Sequence, residues 1–431
     1  MLNNFNLKIK NFGPINKADL DISKINVVAG RNSSGKTTIS KLLYTIITSF
    51  SSDGEFLIYD SMKEQLVMLI NNLQFAFSQQ SIVANLDEIL MSVQSNNNYN
   101  LKVIEQEYDN LQFVVETVDF NNKEFFLDSI KNNKEIISNI EKMGFSFYLM
   151  VNLIKNEFAG DEQISNIFNK SEIIISSHDK KMPFEHTIKI DNEFGIQCET
   201  QVDKAVVGAN EAIYIETPYF LDYKIPFIQF ERHGKKQLHQ ILLYRKLTDQ
   251  SAQNDILDSI HNRKIIKFQK KINELLNGKF NFNAQGLLEF RQDDKLFDLV
   301  NISTGLKSIG ILQLLLENRK LKENTYLIMD EPEVHLHPEW QIKLAELLVL
   351  LSKQLNVTLF INTHSPLFIE AIRTYCEQQE LLDDANFYLT YKSEEKFDLE
   401  HIPNDDLNII YNSLGKPYET LSKISIENQF K

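Results

Sequence analysis

The sequence predicts an α/β protein: a mixed sheet flanked by helices, interrupted by a large inserted region of helices and strands. Three observations carry this expectation. Strand and helix patterns alternate at both ends of the chain, with a mixed stretch between them. A glycine-bearing loop, Gly30-Arg-Asn-Ser-Ser-Gly35-Lys36-Thr37, joins a continuous apolar run to a helical pattern. A second apolar run, Tyr326–Met329, ends in Asp330 and Glu331, at the end of a strand where parallel sheets hold their ligands.

The elements follow in order. Phe5–Phe12 alternates loosely, Ala18–Ile22 follows a turn at Gly13-Pro14, and Ile25–Ala29 is apolar throughout, as in a strand buried on both faces. Thr37–Phe50 places Ile39, Leu42, Leu43, Ile46 and Ile47 on one side of a helix. No proline occurs between Pro14 and Pro183. Ser61–Phe77, Ser81–Val93 and Lys123–Glu157 read as helices, with breaks at Asn96–Asn100 and Asn132-Asn133. No apolar heptad is sustained, so a long coiled-coil arm is not expected. Strand patterns begin again from Phe184: Thr187–Ile190, Ile196–Gln201 and Glu211–Glu216. Helices are expected at Gln237–Leu247 and Gln253–Leu276. A strand pair, Phe280–Phe282 and Gly286–Phe290, then leads into Leu299–Ser303. Helix 306–319, strand Tyr326–Met329, helix Glu339–Leu355, strand Thr358–Ile361 and helix Leu367–Gln378 come next. Strands Asn386–Tyr391 and Phe397–His401 and a helix near Asp405–Ser413 finish the chain. Residues 1–51 and 289–431 are therefore expected to form one head, and 52–288 an inserted lid or partner-binding region.

Hydrophobic residues make up 43% of the 431 and charged residues 24%, the proportions of a folded chain and not of a disordered one. Apolar runs such as Leu347–Leu351 are far shorter than the ~20 residues needed to span a bilayer. The start, Met1–Phe5, lacks the basic end and apolar core of a signal peptide. Two cysteines, Cys198 and Cys376, suit a reducing compartment. A cytoplasmic protein with no membrane association is expected. The net charge of −14 argues against a surface that coats nucleic acid everywhere, but the charge is uneven. Residues 221–280 hold twelve Lys/Arg against six Asp/Glu. Arg263, Lys264, Lys267, Lys270 and Lys271 recur there at i, i+1, i+4, i+7 and i+8, with Ile265, Phe268, Ile272 and Leu275 broadly opposite. Arg232, Lys235, Lys236, Arg245 and Lys246 are close in sequence. A basic helix face of this kind meets DNA or RNA phosphates, an acidic protein, or only solvent.

The loop after Ile25–Ala29 has the residues that phosphate needs. Glycines let backbone N–H groups approach the oxygens, and the following helix N-terminus adds partial positive charge. Gly30, Asn32, Ser33, Ser34, Gly35, Lys36, Thr37 and Thr38 are the expected nucleotide-binding set. Lys36 would reach the β- and γ-phosphates and the Thr37 hydroxyl would ligate Mg²⁺. Asp330 would hold the same metal through water, and Glu331 would polarise the attacking water. Asn301-Ile-Ser303-Thr304-Gly305 opens a helix with Ser and Gly, which serves as an ordinary N-cap or as an anion site. Thr358–Ser365 ends an apolar strand at His364, a position from which a histidine can sense a γ-phosphate. Glu333, His335 and His337 fit no standard zinc spacing.

These four pieces, in this order, resemble the ATPase heads of the ABC/SMC superfamily, with their Walker A, signature, Walker B and switch-histidine motifs. The run Asp330–Pro338 resembles the bacterial ATPases related to the overcoming-lysogenization-defect family and to PtuA of Septu-type defence systems. The resemblance covers roughly residues 1–50 and 290–380. It implies an ABC-type P-loop NTPase head with ATP and Mg²⁺ as ligands, and Lys36, Glu331 and His364 as catalytic residues. Ser303 and Gly305 would contact the γ-phosphate of a second subunit's ATP, which implies a homodimer or a larger even oligomer. Glu333–His337 would be the dimer-contacting loop. Thr304 and Leu306-Lys307 depart from the Gly and Gln of transporter-type signatures, and neither Gln65 nor Gln79 has the spacing of the family's metal-contacting glutamine. The stretch after His364 is too short for the TOPRIM nuclease of some relatives, so any nuclease is expected on a separate protein. The function implied is an ATP-hydrolysing switch subunit of a prokaryotic antiviral defence complex, controlling a separate nuclease or toxin effector. The alternatives are an ATP-bound scaffold without turnover, or an SMC-like DNA-repair ATPase.

Overall fold

The computed structural model describes residues 5–77, 80–95, 100–159, 168–177, 184–191, 195–200, 211–222, 238–249, 259–283, 286–293, 295–416 and 421. The chain divides into two compact units, one of residues 1–47 and 153–431, the other of residues 48–152.

The larger unit is built on a mixed sheet. Its strands are β1 (Phe5–Phe12), β2 (Ile15–Ile22), β3 (Ile25–Ala29), β4 (Ser171–Ser177), β5 (Glu185–Asp191), β6 (Gly195–Thr200) and β7 (Glu211–Ile215), followed by β11 (Thr325–Asp330), β12 (Thr358–Thr363), β13 (Ala385–Ser393) and β14 (Lys396–Ile402). Among the described residues these eleven run in the order β6-β5-β4-β1-β2-β14-β13-β3-β12-β11-β7. β13, β3, β12, β11 and β7 are mutually parallel, and β3, β7 and β12 are buried along their whole length. Burial on both faces favours their predominantly apolar sequence, and the buried Asn26, Glu211 and Asn362 within them have polar partners. The β6-β5-β4-β1-β2 half is antiparallel, and there Leu7 and Ile9 turn inward while Lys8 and Lys10 turn out.

Helices follow the parallel strands. α1 (Lys36–Phe50) follows β3 directly, and α7 (Leu238–Thr248) and α8 (Ser259–Leu276) come after β7. α9 (Thr304–Glu317) precedes β11, while α10 (Pro338–Leu355) and α11 (Pro366–Gln378) follow β11 and β12. A second, antiparallel sheet of β8 (Lys279–Phe282), β9 (Leu288–Gln292) and β10 (Lys295–Phe297) stands before α9. Phe280 packs at a tilt against Phe290 there, with ring centroids 4.7 Å apart, and fills the space left by the missing side chain of Gly310.

The smaller unit is helical: α2 (Ser52–Ala76), α3 (Gln80–Ser95), α4 (Leu101–Thr117) and α5 (Lys123–Met143), with α6 (Phe145–Ile154) leading out of it. Leu66, Leu73, Tyr108, Leu111, Val115 and Ile130 lie in its core. Among the described residues no helix is long and apolar enough to cross a membrane.

Several expectations change. The inserted region expected over 52–288 is shared between the two units, because β4 pairs with the head strand β1 and carries β5 and β6 beside it, while β7 pairs with the head strand β11. Within Lys123–Glu157 the helix runs unbroken through the expected break at Asn132-Asn133 and ends instead at Gly144, whose φ of +81° ends α5 while its N–H bonds to the Ile140 carbonyl. The chain then winds into a π-helical turn at Lys155–Ala159. α4 and β4 were not anticipated, and Leu299–Asn301 is a short 3₁₀ turn.

Candidate active site

Register alone gathers the site. Thr363 pairs with Ala29, Asp330 with Asn362, and Met329 with Ile215, so four neighbouring parallel strands end at one level. The loop 30–35, the turn 331–337, His364 and Glu216 therefore leave the same edge of the sheet. That is the edge where α/β folds bind ligands.

In the phosphate loop, Gly35 takes φ +88° and Ser33 φ +61°. Gly30 has no room for a side chain, because a Cβ there would lie 1.8 Å from the Thr390 hydroxyl. Thr390 donates to Ser34 Oγ at 2.6 Å, which holds the loop to β13. Lys36 is 5% exposed, and its Nζ donates to the carbonyls of Gly30 (3.0 Å) and Arg31 (2.9 Å). It lies 3.6 Å from Glu331 Oε1. Burial lowers the Lys36 amine from its ordinary value, against the pull of Glu331, Asp330 and Glu333. Asn32, Ser33 and Thr37 are exposed, and Thr38 is half-buried.

Asp330 is surrounded by donors. Its Oδ1 accepts from Ser40 Oγ (2.8 Å) and Asn362 Nδ2 (2.6 Å), its Oδ2 accepts from Tyr214 OH (2.9 Å), and the Thr37 hydroxyl bonds to it as well. Burial raises its carboxyl above the ordinary range in spite of these bonds. A hydroxyl and a carboxylate side by side form the hard oxygen set that suits Mg²⁺. Asn362 Oδ1, buried and with no partner among the described residues, is a polar atom that a metal-bound water would satisfy. The residues fit the metal.

Glu331 sits at φ +46°, its N–H held by the Asn362 carbonyl at 2.9 Å. His364 Nδ1 lies 3.3 Å from Glu331 Oε1. That contact first, then Lys36, holds the Glu331 carboxyl below its ordinary value, and it raises the His364 imidazole. Glu333, 2% exposed, accepts from the Thr363 hydroxyl and from His364 N–H at 3.3 Å; burial raises its carboxyl. Glu333 thus fixes the backbone from which His364 projects.

Lys36, Thr37, Asp330, Glu331 and His364 are brought together at the ends of β3, β11 and β12. Ser303 caps α9, its Oγ accepting from Leu306 N at 3.3 Å. Gly305 packs against Leu336 and the His335 carbonyl, where a Cβ would lie 2.4 Å from Leu336 Cδ2. Its lack of a side chain is already needed within the chain. On the basic helix, Lys271 is 2.6 Å from Glu346 and Lys270 is 3.9 Å from Glu274, so both lie beside carboxylates. The side chains of Arg263, Lys264 and Lys267, and the residues Arg232, Lys235, Lys236 and Gln79, lie outside the described residues. Lys246 pairs with Glu211, and Gln65 lies in α2 of the smaller unit.

Ser40, Tyr214, Glu216, Asn362 and Thr390 were not anticipated. Only Glu216 left a signal, as the acidic end of the apolar run before Thr217-Pro218. Glu216, Asp330, Glu331, Thr304 and Ser308 line a recess of about 180 Å³ at the ends of β7 and β11.

The family described as AAA ATPase domain matches residues 5–369. Comparison with curated proteins gave no match. Among solved structures, the SMC head domain from Thermotoga maritima is 11% identical, with a TM-score of 0.40, over 93% of this chain and 99% of that one. An SmcHead bound to the C-winged helix domain of ScpA is 11% identical, with a TM-score of 0.44, over 92% and 97%. An Smc head domain with an extended coiled coil, bound to the C-terminal domain of ScpA derived from Pyrococcus furiosus, is 10% identical. Its TM-score is 0.42, over 99% and 100% of the two chains.

Proposed function

The chain belongs to the AAA ATPase domain family, and from that premise we propose that it is an ATP-binding and ATP-hydrolysing switch. Its heads pair around ATP, as a homodimer or a larger even oligomer, and control a separate effector, a nuclease or a toxin, in a prokaryotic antiviral defence complex. The observation that carries the catalytic reading is the convergence of Lys36, Asp330, Glu331 and His364 at the ends of adjacent parallel strands. The defence role rests on the resemblance of the run Asp330–Pro338 to defence-system ATPases.

ATP enters with its phosphates on the N–H groups of Ser33 to Thr37 and the N-terminus of α1. Lys36 exchanges the carbonyls of Gly30 and Arg31 for β- and γ-phosphate oxygens. Thr37 and Asp330 would hold Mg²⁺, which would supply charge neutralisation to the phosphates. Glu331, kept ionised at neutral pH, accepts the proton of the attacking water. His364, between Glu331 and Glu333, reports whether the γ-phosphate is present. Ser303 serves a second head's ATP.

A protein is the better partner for the smaller unit. Residues 48–152 hold six Lys/Arg against fifteen Asp/Glu, the wrong sign for a phosphate backbone. The same unit leaves Phe75 97% and Phe113 69% exposed. DNA or RNA remains a candidate only for the helix of Arg263 to Lys271.

The test is Glu331→Gln, assayed for ATP retention, turnover and control of the effector encoded beside it. The switch predicts retained ATP, lost turnover and a locked output. Wild type and variant that bind ATP alike, turn over nothing and control the effector equally would replace the switch with an ATP-bound scaffold.

A further inference from the structure

Behind Asp330 lies a buried polar cluster that the catalytic reading does not use. His239, 1% exposed, opens α7. Its Nδ1 is 2.6 Å from Glu157 Oε2, and its backbone N–H donates to Glu157 Oε1 at 3.0 Å. Its Nε2 is 3.3 Å from Glu216 Oε2, and Lys41 Nζ is 2.9 Å from Glu216 Oε1. Burial works against the charged imidazole, but the two carboxylates outweigh it and raise His239 above its ordinary value. Burial would likewise raise Glu216, but His239 and Lys41 bring it down to about 2.

The cluster faces the site through one aromatic ring. Tyr214 lies with its ring centroid 4.7 Å from that of His239 and 5.9 Å from that of Tyr44, and its hydroxyl donates to Asp330 Oδ2 at 2.9 Å. Tyr214 is fully buried in β7, and Glu216 stands two residues further along, just past the strand's end. Lys41 stands on α1 and Glu157 on the turn Lys155–Ala159, the two segments by which the chain leaves and re-enters the larger unit.

We propose that Tyr214 is a positioning residue for the metal-holding carboxylate, with the His239–Glu157–Glu216–Lys41 cluster fixing its ring so that Asp330 presents one orientation to Mg²⁺. This rests on the ATPase reading above and adds to it a partner of Asp330 that is distant in sequence. Partners that orient a metal-holding group typically contribute about 10–100-fold to metal affinity.

The full-length protein is titrated with a fluorescent ATP analogue, in EDTA and at increasing Mg²⁺, as wild type, Tyr214→Phe and His239→Gln. Tyr214→Phe should bind the analogue as wild type does in EDTA. It should need about 10-fold more Mg²⁺ for the metal-dependent gain in affinity. In turnover, the rate lost by the same variant should shrink as Mg²⁺ is raised. His239→Gln should shift the Mg²⁺ requirement the same way, and should it fail to fold, Tyr214→Phe decides alone. An unchanged Mg²⁺ requirement, or equal weakening with and without Mg²⁺, would overturn the positioning role. A wild type that binds no nucleotide at all would overturn the ATPase reading, and this inference with it.

Discussion

Glu331 and His364 set each other's charge. The imidazole contact depresses the Glu331 carboxyl, so the base is ionised down to a pH below its ordinary value of 4.5 and is lost as pH falls through the depressed one. His364→Gln removes the main cause, so the acid limb of kcat/KM against pH should move to higher pH. The same change should remove a basic limb above the ordinary imidazole value of 6.5, where wild-type His364 discharges. An acid limb that stays in place would show that Glu331 is not governed by His364. Gly30 makes a second claim at this scale. Gly30→Ala drives a methyl into the Thr390 hydroxyl and should cost about 1–3 kcal/mol in urea unfolding. Thr390→Ala should recover part of that loss, and a double variant no better than the single one would exclude the clash as its cause. Lys36, Asp330 and Glu331 were legible in the sequence because their chemistry demands a fixed local pattern. Tyr214, Asn362 and Thr390 were not, since each meets its partner across a fold-distant register, and a Tyr, Asn or Thr inside an apolar strand has no spacing that marks it.

At the scale of the element, α9 shows why one residue can be read two ways. Ser303 is an N-cap by geometry and a γ-phosphate contact by resemblance. Losing the cap bond costs about 1 kcal/mol, which would lower a urea midpoint slightly and leave the folded population intact. Ser303→Ala should therefore unfold only a little more easily while losing most of its ATP turnover. Turnover that falls no further than stability explains would reduce Ser303 to a cap. Periodicity showed α1, α10 and the buried strands, whose pattern is dictated by burial on one stripe or on both faces. It failed where tertiary context decides. In β4, Ile173 to Ile175 form a run too short to separate strand from helix, and β1 settles the matter by pairing. In the stretch Lys123–Glu157 the break falls at Gly144, a glycine of positive φ, and not at Asn132-Asn133, where the helix continues.

The whole molecule brings together segments hundreds of residues apart: β3 is flanked by β12 and β13, and β11 by β7. The fold class was legible because β3, β11 and β12 each carry an apolar run that ends in its own motif. The extent of the separate unit was not, since nothing local tells an inserted strand from one that completes the head's sheet. The helical unit begins and ends at neighbouring points: the rings of Phe50 and Phe147 meet edge-on with centroids 5.8 Å apart, and Gly54 packs against Leu149. A few Gly/Ser residues joining Phe50 to Phe147 can span that gap without strain, and loop-closure entropy changes only slowly with length. All of the residues assigned to ATP lie outside the excised stretch. The shortened chain should thus fold and bind a fluorescent ATP analogue with Mg²⁺ as tightly as the full chain, while its control of the effector is lost with Phe75, Phe113 and their acidic surroundings. Intact effector control in a shortened chain that binds ATP normally would move the partner surface onto the head, and leave the basic helix as the first place to look for it.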